Sequence, residues 1–128
     1  MSLMHKMGIL LKSLRLKYVQ SEEEKKKFHD ISVEEAQKKY EVSKNDYIWL
    51  DVRTQGEYSQ RHIPGSKLIP IDQLEDRIGE VGSKDKKYIV YCHSGGRSVA
   101  ACMILHDKGY KQLFNMPGMS YWNGPTES

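Results

Sequence analysis

With 128 residues, 38% of them apolar and 29% charged, the chain is long enough to bury one real core and too short for two, and its balance excludes a disordered chain and a membrane bundle. Twenty basic residues against 17 acidic ones give a formal charge of +3, and the two signs alternate through most of the chain, so no basic footprint for nucleic acid is present. The two cysteines, Cys92 and Cys102, sit in contexts too unlike for a disulfide scaffold, and a reducing, cytoplasmic setting is expected.

Met1 to Met7 carries no pattern. From Ile9 to Val19 the residues Leu10, Leu11, Leu14 and Tyr18 recur at helical spacing, with Lys12, Arg15 and Lys17 on the remaining face. This predicts a basic amphipathic helix, which either packs on its own domain or makes a weak contact with a partner or an anionic membrane surface. The run Ile9-Leu10-Leu11 lacks the length and cleavage pattern of a signal peptide, and no stretch approaches the roughly 20 apolar residues of a membrane span. Ser21 to Lys27 opens like a capping box and sets Glu22 and Glu23 four residues before Lys26 and Lys27, as in a solvated helix or charged linker. Residues 1–27 are therefore read as an N-terminal extension, 28–124 as the domain and 125–128 as a C-terminal tail.

Within the domain, the box Ser32-Val33-Glu34-Glu35 starts a helix to about Tyr40, and Glu41 to Asp46 is a polar turn. Tyr47-Ile48-Trp49-Leu50-Asp51-Val52 is a continuous apolar run ending in a charge, the pattern of a parallel strand covered on both faces, with Asp51 at its carboxyl end. Thr54-Gln55-Gly56-Glu57 is another box and opens a short helix through Gln60. His62-Ile63-Pro64-Gly65 turns the chain into a brief strand over Lys67 to Ile69. Asp72-Gln73-Leu74-Glu75 predicts a further helix, with Leu74 and Ile78 buried and Gly79 as its stop. The strand Tyr88-Ile89-Val90-Tyr91 leads through a turn into an apolar helix that ends at Lys108, with Gly109 as a left-handed cap. A last strand, Leu113 to Met116, precedes Pro117-Gly118 and one helical turn over Met119 to Trp122. Strands alternating with helices predict an α/β domain with a parallel sheet, whose ligands bind at the carboxyl ends of the strands. Asp51 and Cys92 both leave their strands at that edge.

The turn itself, Cys92-His93-Ser94-Gly95-Gly96-Arg97-Ser98, carries the chemistry. Unpaired N–H groups at a helix start favour an anion, Gly95 and Gly96 let such groups point inward, and Arg97 adds a fixed positive charge. The reactive form of cysteine is the thiolate, which this setting favours. Two chemistries compete with an ordinary buried cysteine. A phosphatase usually spaces its cysteine and arginine as Cys-x5-Arg, and here the spacing is Cys-x4-Arg, one residue short. The smaller ring suits a terminal sulfur atom, held as a persulfide during sulfur transfer.

Arg97 either binds an anionic donor or ties the loop to a carboxylate such as Asp51. Asp51 and Arg53 read as scaffold, since a carboxylate near a thiolate opposes its ionisation. His93 reads as an exposed loop residue rather than a base, and Ser98 as a helix cap that also stands within reach of a persulfide. Cys102, on the apolar helix, reads as inert core. The five histidines are scattered, and neither a metal-ligand spacing nor a phosphate-binding glycine motif occurs, so no metal and no cofactor are expected.

Leu50-Asp51-Val52-Arg53 followed by Glu57-Tyr58, the His62-Ile63-Pro64-Gly65-Ser66 turn, the Cys92-to-Ser98 loop after a buried strand, and Gly118 four residues before Trp122 together resemble the rhodanese family over roughly residues 28 to 124. The resemblance implies a rhodanese-like fold, with a five-stranded parallel sheet and helices on both faces. It implies a sulfurtransferase in which Cys92 is the nucleophile and carries the persulfide, while His93, Ser94, Gly95, Gly96 and Arg97 supply a backbone cradle. A small sulfur donor and acceptor, or a sulfur-carrier protein, are the implied partners. The other reading it allows is a binding module of the same fold that docks a sulfur carrier or a membrane surface through the 9–19 helix. Two departures stand out. The glycine pair that the family often shows before its last tryptophan is replaced by Met116-Pro117-Gly118-Met119. His93 and Ser94 occupy the places of the two cationic side chains found in thiosulfate-preferring members, so thiosulfate is not singled out as the donor.

Overall fold

The apolar strand runs that end at Asp51 and Tyr91 pair at the centre of a five-stranded parallel sheet. The computed structural model describes residues 27–128; the 9–19 helix and the linker up to residue 26 lie outside the described residues. The strands are β1 (His29–Asp30), β2 (Tyr47–Asp51), β3 (Lys67–Leu68), β4 (Lys87–Tyr91) and β5 (Gln112–Met116), in the spatial order β1-β5-β4-β2-β3. Three α-helices connect them: α1 (Val33–Ser43), α2 (Gln55–Gln60) and α3 (Gly96–Asp107).

Strand periodicity divides the core into two layers. Ile48, Leu50 and Val52 of the β2 segment, with Tyr88, Val90 and Cys92 of the β4 segment, pack on one face against Ala101, Cys102 and Leu105 of α3. Trp49, Ile89, Tyr91 and Met116 pack on the other face against Ala36 and Tyr40 of α1 and against Trp122. Trp122 meets Tyr40 and Trp49 edge-on at centroid distances of 5.8 and 6.1 Å. Both faces of the sheet are therefore covered, as continuous apolar strands require.

Among the described residues, the caps behave as their sequences predict at two of three boxes. Ser32 accepts from Glu35 N at 3.0 Å, and Thr54 and Glu57 close a full reciprocal box at the start of α2. Helix α1 runs one turn past Tyr40, to Ser43, whose hydroxyl donates to Lys39 O at 3.2 Å. The helix expected after Asp72 does not form. Ile71–Gln73 and Ile78–Glu80 are short 3-10 turns, and Arg77, at φ −110° and ψ 22°, interrupts them. Pro70 stands in the capping place and has no side-chain acceptor, while the Ile71 N–H is fixed to Val52 O at 3.1 Å, so the segment starts tethered to the sheet edge. Gly79 lies inside a 3-10 turn and stops nothing. Leu74 and Val81 still reach the α3 layer and are fully buried. Gly109 follows α3 at φ +98°, as a left-handed residue.

The last residues return onto the domain. Glu127 forms an antiparallel bridge with His62, with N···O distances of 2.8 and 2.9 Å, and the His62 ring lies between Tyr58 O and Glu127 Oε1. Among the described residues no helix is long and apolar enough to cross a membrane.

Candidate active site

The loop between β4 and α3 begins where the sheet ends. Cys92 follows Tyr91 on the α3 face and is 1% exposed. Its Sγ accepts the Gly95 N–H at 2.9 Å and lies 3.3 Å from Ser98 Oγ, which donates to Gly95 O at 3.1 Å. Gly95 is the N-cap of α3, at φ +112°, and has no side chain to offer as acceptor. A Cβ added there would stand 2.7 Å from Pro117 Cβ, so the turn that aims this N–H at the sulfur requires glycine on two counts. At Gly96 an added Cβ meets nothing within 4 Å. Ser98 is not the cap expected of it: it lies a turn inside α3, fully buried, with its hydroxyl against the sulfur.

The loop is held from outside by the segment after β5. Met119 N donates to Cys92 O at 3.1 Å, and Ser120 N to His93 O at 3.3 Å. Met116-Pro117-Gly118-Met119 thus forms one wall of the site. His93 and Ser94 are exposed.

Arg97 does not reach Asp51. Its guanidinium clasps Glu57 with two hydrogen bonds, Nη1 to Oε1 at 2.5 Å and Nη2 to Oε2 at 2.9 Å. The Arg97 bonds hold the Glu57 carboxyl down to about 2, with help from the Thr54 N–H and hydroxyl. Glu57 thereby joins the first turn of α2 to the cysteine loop. Its sequence signals were the capping box and its place in the family resemblance, and neither announces a partner forty positions later.

Asp51 is engaged elsewhere. Fully buried, it accepts from Arg53 N and Nε at 2.9 Å and from Nη2 at 2.6 Å, and Arg53, 4% exposed, also donates to Arg61 O at 2.8 Å. In the sheet register Asp51 stands beside Tyr91, one residue before Cys92. Asp51 and Cys92 share an edge of the sheet, and strand alternation sends them to opposite faces. The shared edge expected from the sequence is present, and the two side chains lie on different sides of the sheet. The Tyr91 hydroxyl, pushed up by burial and then by Asp51, stays protonated; it donates to Ser66 Oγ at 3.0 Å and accepts from Ile63 N at 3.2 Å. The His62-to-Ser66 turn is thereby pinned to the sheet.

Beside the loop opens a cleft of about 310 Å³ lined by Arg53, Glu57, Gln60, Arg61, His93 and Met119. Arg61 and Gln60 were not singled out by the sequence, because exposed polar residues at the end of a short helix carry no pattern. Among the described residues no group of three or more His, Cys, Asp or Glu side chains is placed to hold a metal ion.

Residues 32–124 match the family model described as Rhodanese-like domain. The chain is 40% identical over 99 residues to the putative sulfur carrier protein YrkF of Bacillus subtilis, a stretch that covers 77% of this chain and spans 52%, about half, of that relative. It is 36% identical over 72 residues to the thiosulfate sulfurtransferase PspE of Escherichia coli, covering 56% of this chain and 69% of that one. Among solved structures, a rhodanese-related protein of Thermoplasma volcanium superposes with a TM-score of 0.67 at 28% identity, covering 77% of this chain and 97% of that one.

Proposed function

The chain belongs to the rhodanese-like domain family, and from that premise we propose that it is a sulfurtransferase, in which Cys92 takes a sulfane sulfur from a donor and passes it to a thiophilic acceptor. The observation that carries this reading is the sulfur of Cys92 accepting the Gly95 N–H at 2.9 Å at the start of α3, with the Ser98 hydroxyl 3.3 Å away. Relatives named sulfurtransferase support it.

The steps balance without an outside oxidant. The Cys92 thiolate attacks the outer sulfur of the donor; a new S–S bond forms to Cys92, the donor's own bond to that sulfur breaks, and its electron pair leaves with the donor. The acceptor then attacks the terminal sulfur, and the electron pair of the broken S–S bond returns to Cys92 as thiolate. The Gly95 N–H and the positive end of α3 favour the anion in both halves. The Ser98 hydroxyl hydrogen, free to rotate, turns from Gly95 O to the sulfur when the thiol ionises. Arg97 and Glu57 hold the loop shape as a neutralised pair, Asp51 and Arg53 hold the strand end beneath it, and His93 serves as a rim residue. No base is assigned to His93, whose exposed side chain makes no hydrogen bond with the Cys92 sulfur.

The test is to expose the protein to polysulfide, thiosulfate or an organic persulfide and weigh it. A gain of about 32 Da per sulfur taken up, removed by cyanide and absent in Cys92→Ser, is the expected result. Failure of every donor class to modify the protein contradicts the reading.

A further inference from the structure

Most of the charge that faces the cleft is already neutralised. Arg53 is held by both oxygens of Asp51, and Glu57 by the guanidinium of Arg97. Arg61 differs. It is exposed, and its one side-chain hydrogen bond among the described residues runs from Nη2 to the Met119 carbonyl, 2.9 Å away. A carbonyl cancels no charge, so among the described residues the fixed net positive charge of the cleft wall is that of Arg61, and its Nε and Nη1 still have hydrogens to donate.

One residue links this guanidinium to the cysteine loop. Met119 gives its N–H to Cys92 O at 3.1 Å and its carbonyl to Arg61. His93 of the cysteine loop and Arg61 line the same cleft, so a molecule that reaches the loop through it lies against Arg61. The volume of about 310 Å³ is that of a small organic ligand and leaves most of the space empty around an ion as small as thiosulfate. A guanidinium recognises a carboxylate by charge and by the direction of its N–H groups together.

We propose that Arg61 is the specificity-determining residue of this cleft and selects, as sulfur donors, organic persulfides that carry a carboxylate. The proposal rests on the sulfur-transfer reading given above. Arg61 forms no bond to the reacting sulfur; it binds the far end of the donor.

The decisive comparison is a ratio. Rates of Cys92 persulfide formation are measured with glutathione persulfide, which bears carboxylates, and with 2-hydroxyethyl persulfide, which is neutral, in the full chain and in its R61Q and R61K variants. The preference for the carboxylate donor falls about tenfold in R61Q, the size of an exposed charge-assisted hydrogen bond, and is partly restored in R61K. Added salt lowers the same ratio in the unmodified chain. A loosened fold would slow both donors alike, so an unchanged ratio overturns the proposal. A second arm needs no sulfur transfer: unreactive S-methylglutathione binds Cys92→Ser about tenfold more tightly than it binds the same protein also carrying R61Q, and equal binding overturns the assignment. Should no donor modify Cys92, the sulfur-transfer reading fails and the binding arm alone decides Arg61.

Discussion

Cys92 and Cys102 lie ten residues apart and are equally hidden, at 1% and 0% exposure, in the same layer of the core. Their surroundings are nevertheless opposite. Cys102 sits within α3 between Ala101 and Met103, and burial pushes its thiol well above the ordinary range, so it stays protonated. Cys92 stands where α3 begins, and its sulfur accepts a backbone N–H and touches a hydroxyl. Burial alone thus says little about a cysteine; what separates the two is the backbone N–H aimed at one sulfur.

The comparison breaks most sharply by replacement. Cys92→Ser is expected to lose all uptake of sulfane sulfur, measured by mass, while Cys102→Ala keeps it; uptake lost only in the second variant would reverse the roles. The next largest effect is on the floor of the site. Arg53→Ala leaves Asp51 buried and unpaired, and an uncompensated buried charge costs about 3–5 kcal/mol, to be read from urea denaturation. A loss under about 1 kcal/mol would mean the pair does not hold the edge of the sheet.

Gly95→Ala tests the aimed N–H itself. With φ at +112° and Pro117 Cβ at 2.7 Å, the strain of about 1–3 kcal/mol is relieved only if the turn shifts, and persulfide formation should slow at least tenfold if it does. Gly96→Ala, with open space around its Cβ, sharpens the contrast by leaving the fold intact. The smallest effect belongs to the partly exposed Arg97–Glu57 pair. Glu57→Gln should cost about 1 kcal/mol at neutral pH, in the upper range for a pair near the surface. Because the folded carboxyl titrates at about 2 against an ordinary 4.5, the stability it contributes is complete above about pH 4.5 and is lost as pH falls toward 2. Denaturation of the two proteins across that window should therefore converge.

How much of this was legible in the sequence follows from the range of each interaction. The long apolar strands, the Thr54–Glu57 box and the turn opening on Cys92 are local patterns, and the structure contains them where the pattern places them. The two-residue strand β1 was invisible, since His29 and Asp30 are too few to show a period and pair only because β5 lies beside them. The helix after Asp72 was overruled by an anchor at Ile71 N that no local signal carries. The carboxylate that Arg97 ties to the loop could not be singled out for the same reason: Asp51 was the example at hand, and only folding shows that Arg53 has already claimed it while Glu57 is turned toward the loop. The polar half of the site, including Arg61 and the wall at Met119, depends on contacts between segments far apart in the chain.

The central claim is that sulfur is carried at Cys92 and not at Cys102, and trypsin separates the two. Cleavage after Lys87, Arg97 and Lys108 puts Cys92 in the peptide 88–97 and Cys102 in 98–108. After exposure to a sulfane donor and alkylation, the account predicts an added sulfur of about 32 Da on the first peptide alone, absent when cyanide is added before the alkylation. The same mass on the second peptide, or on neither with any donor, would contradict it.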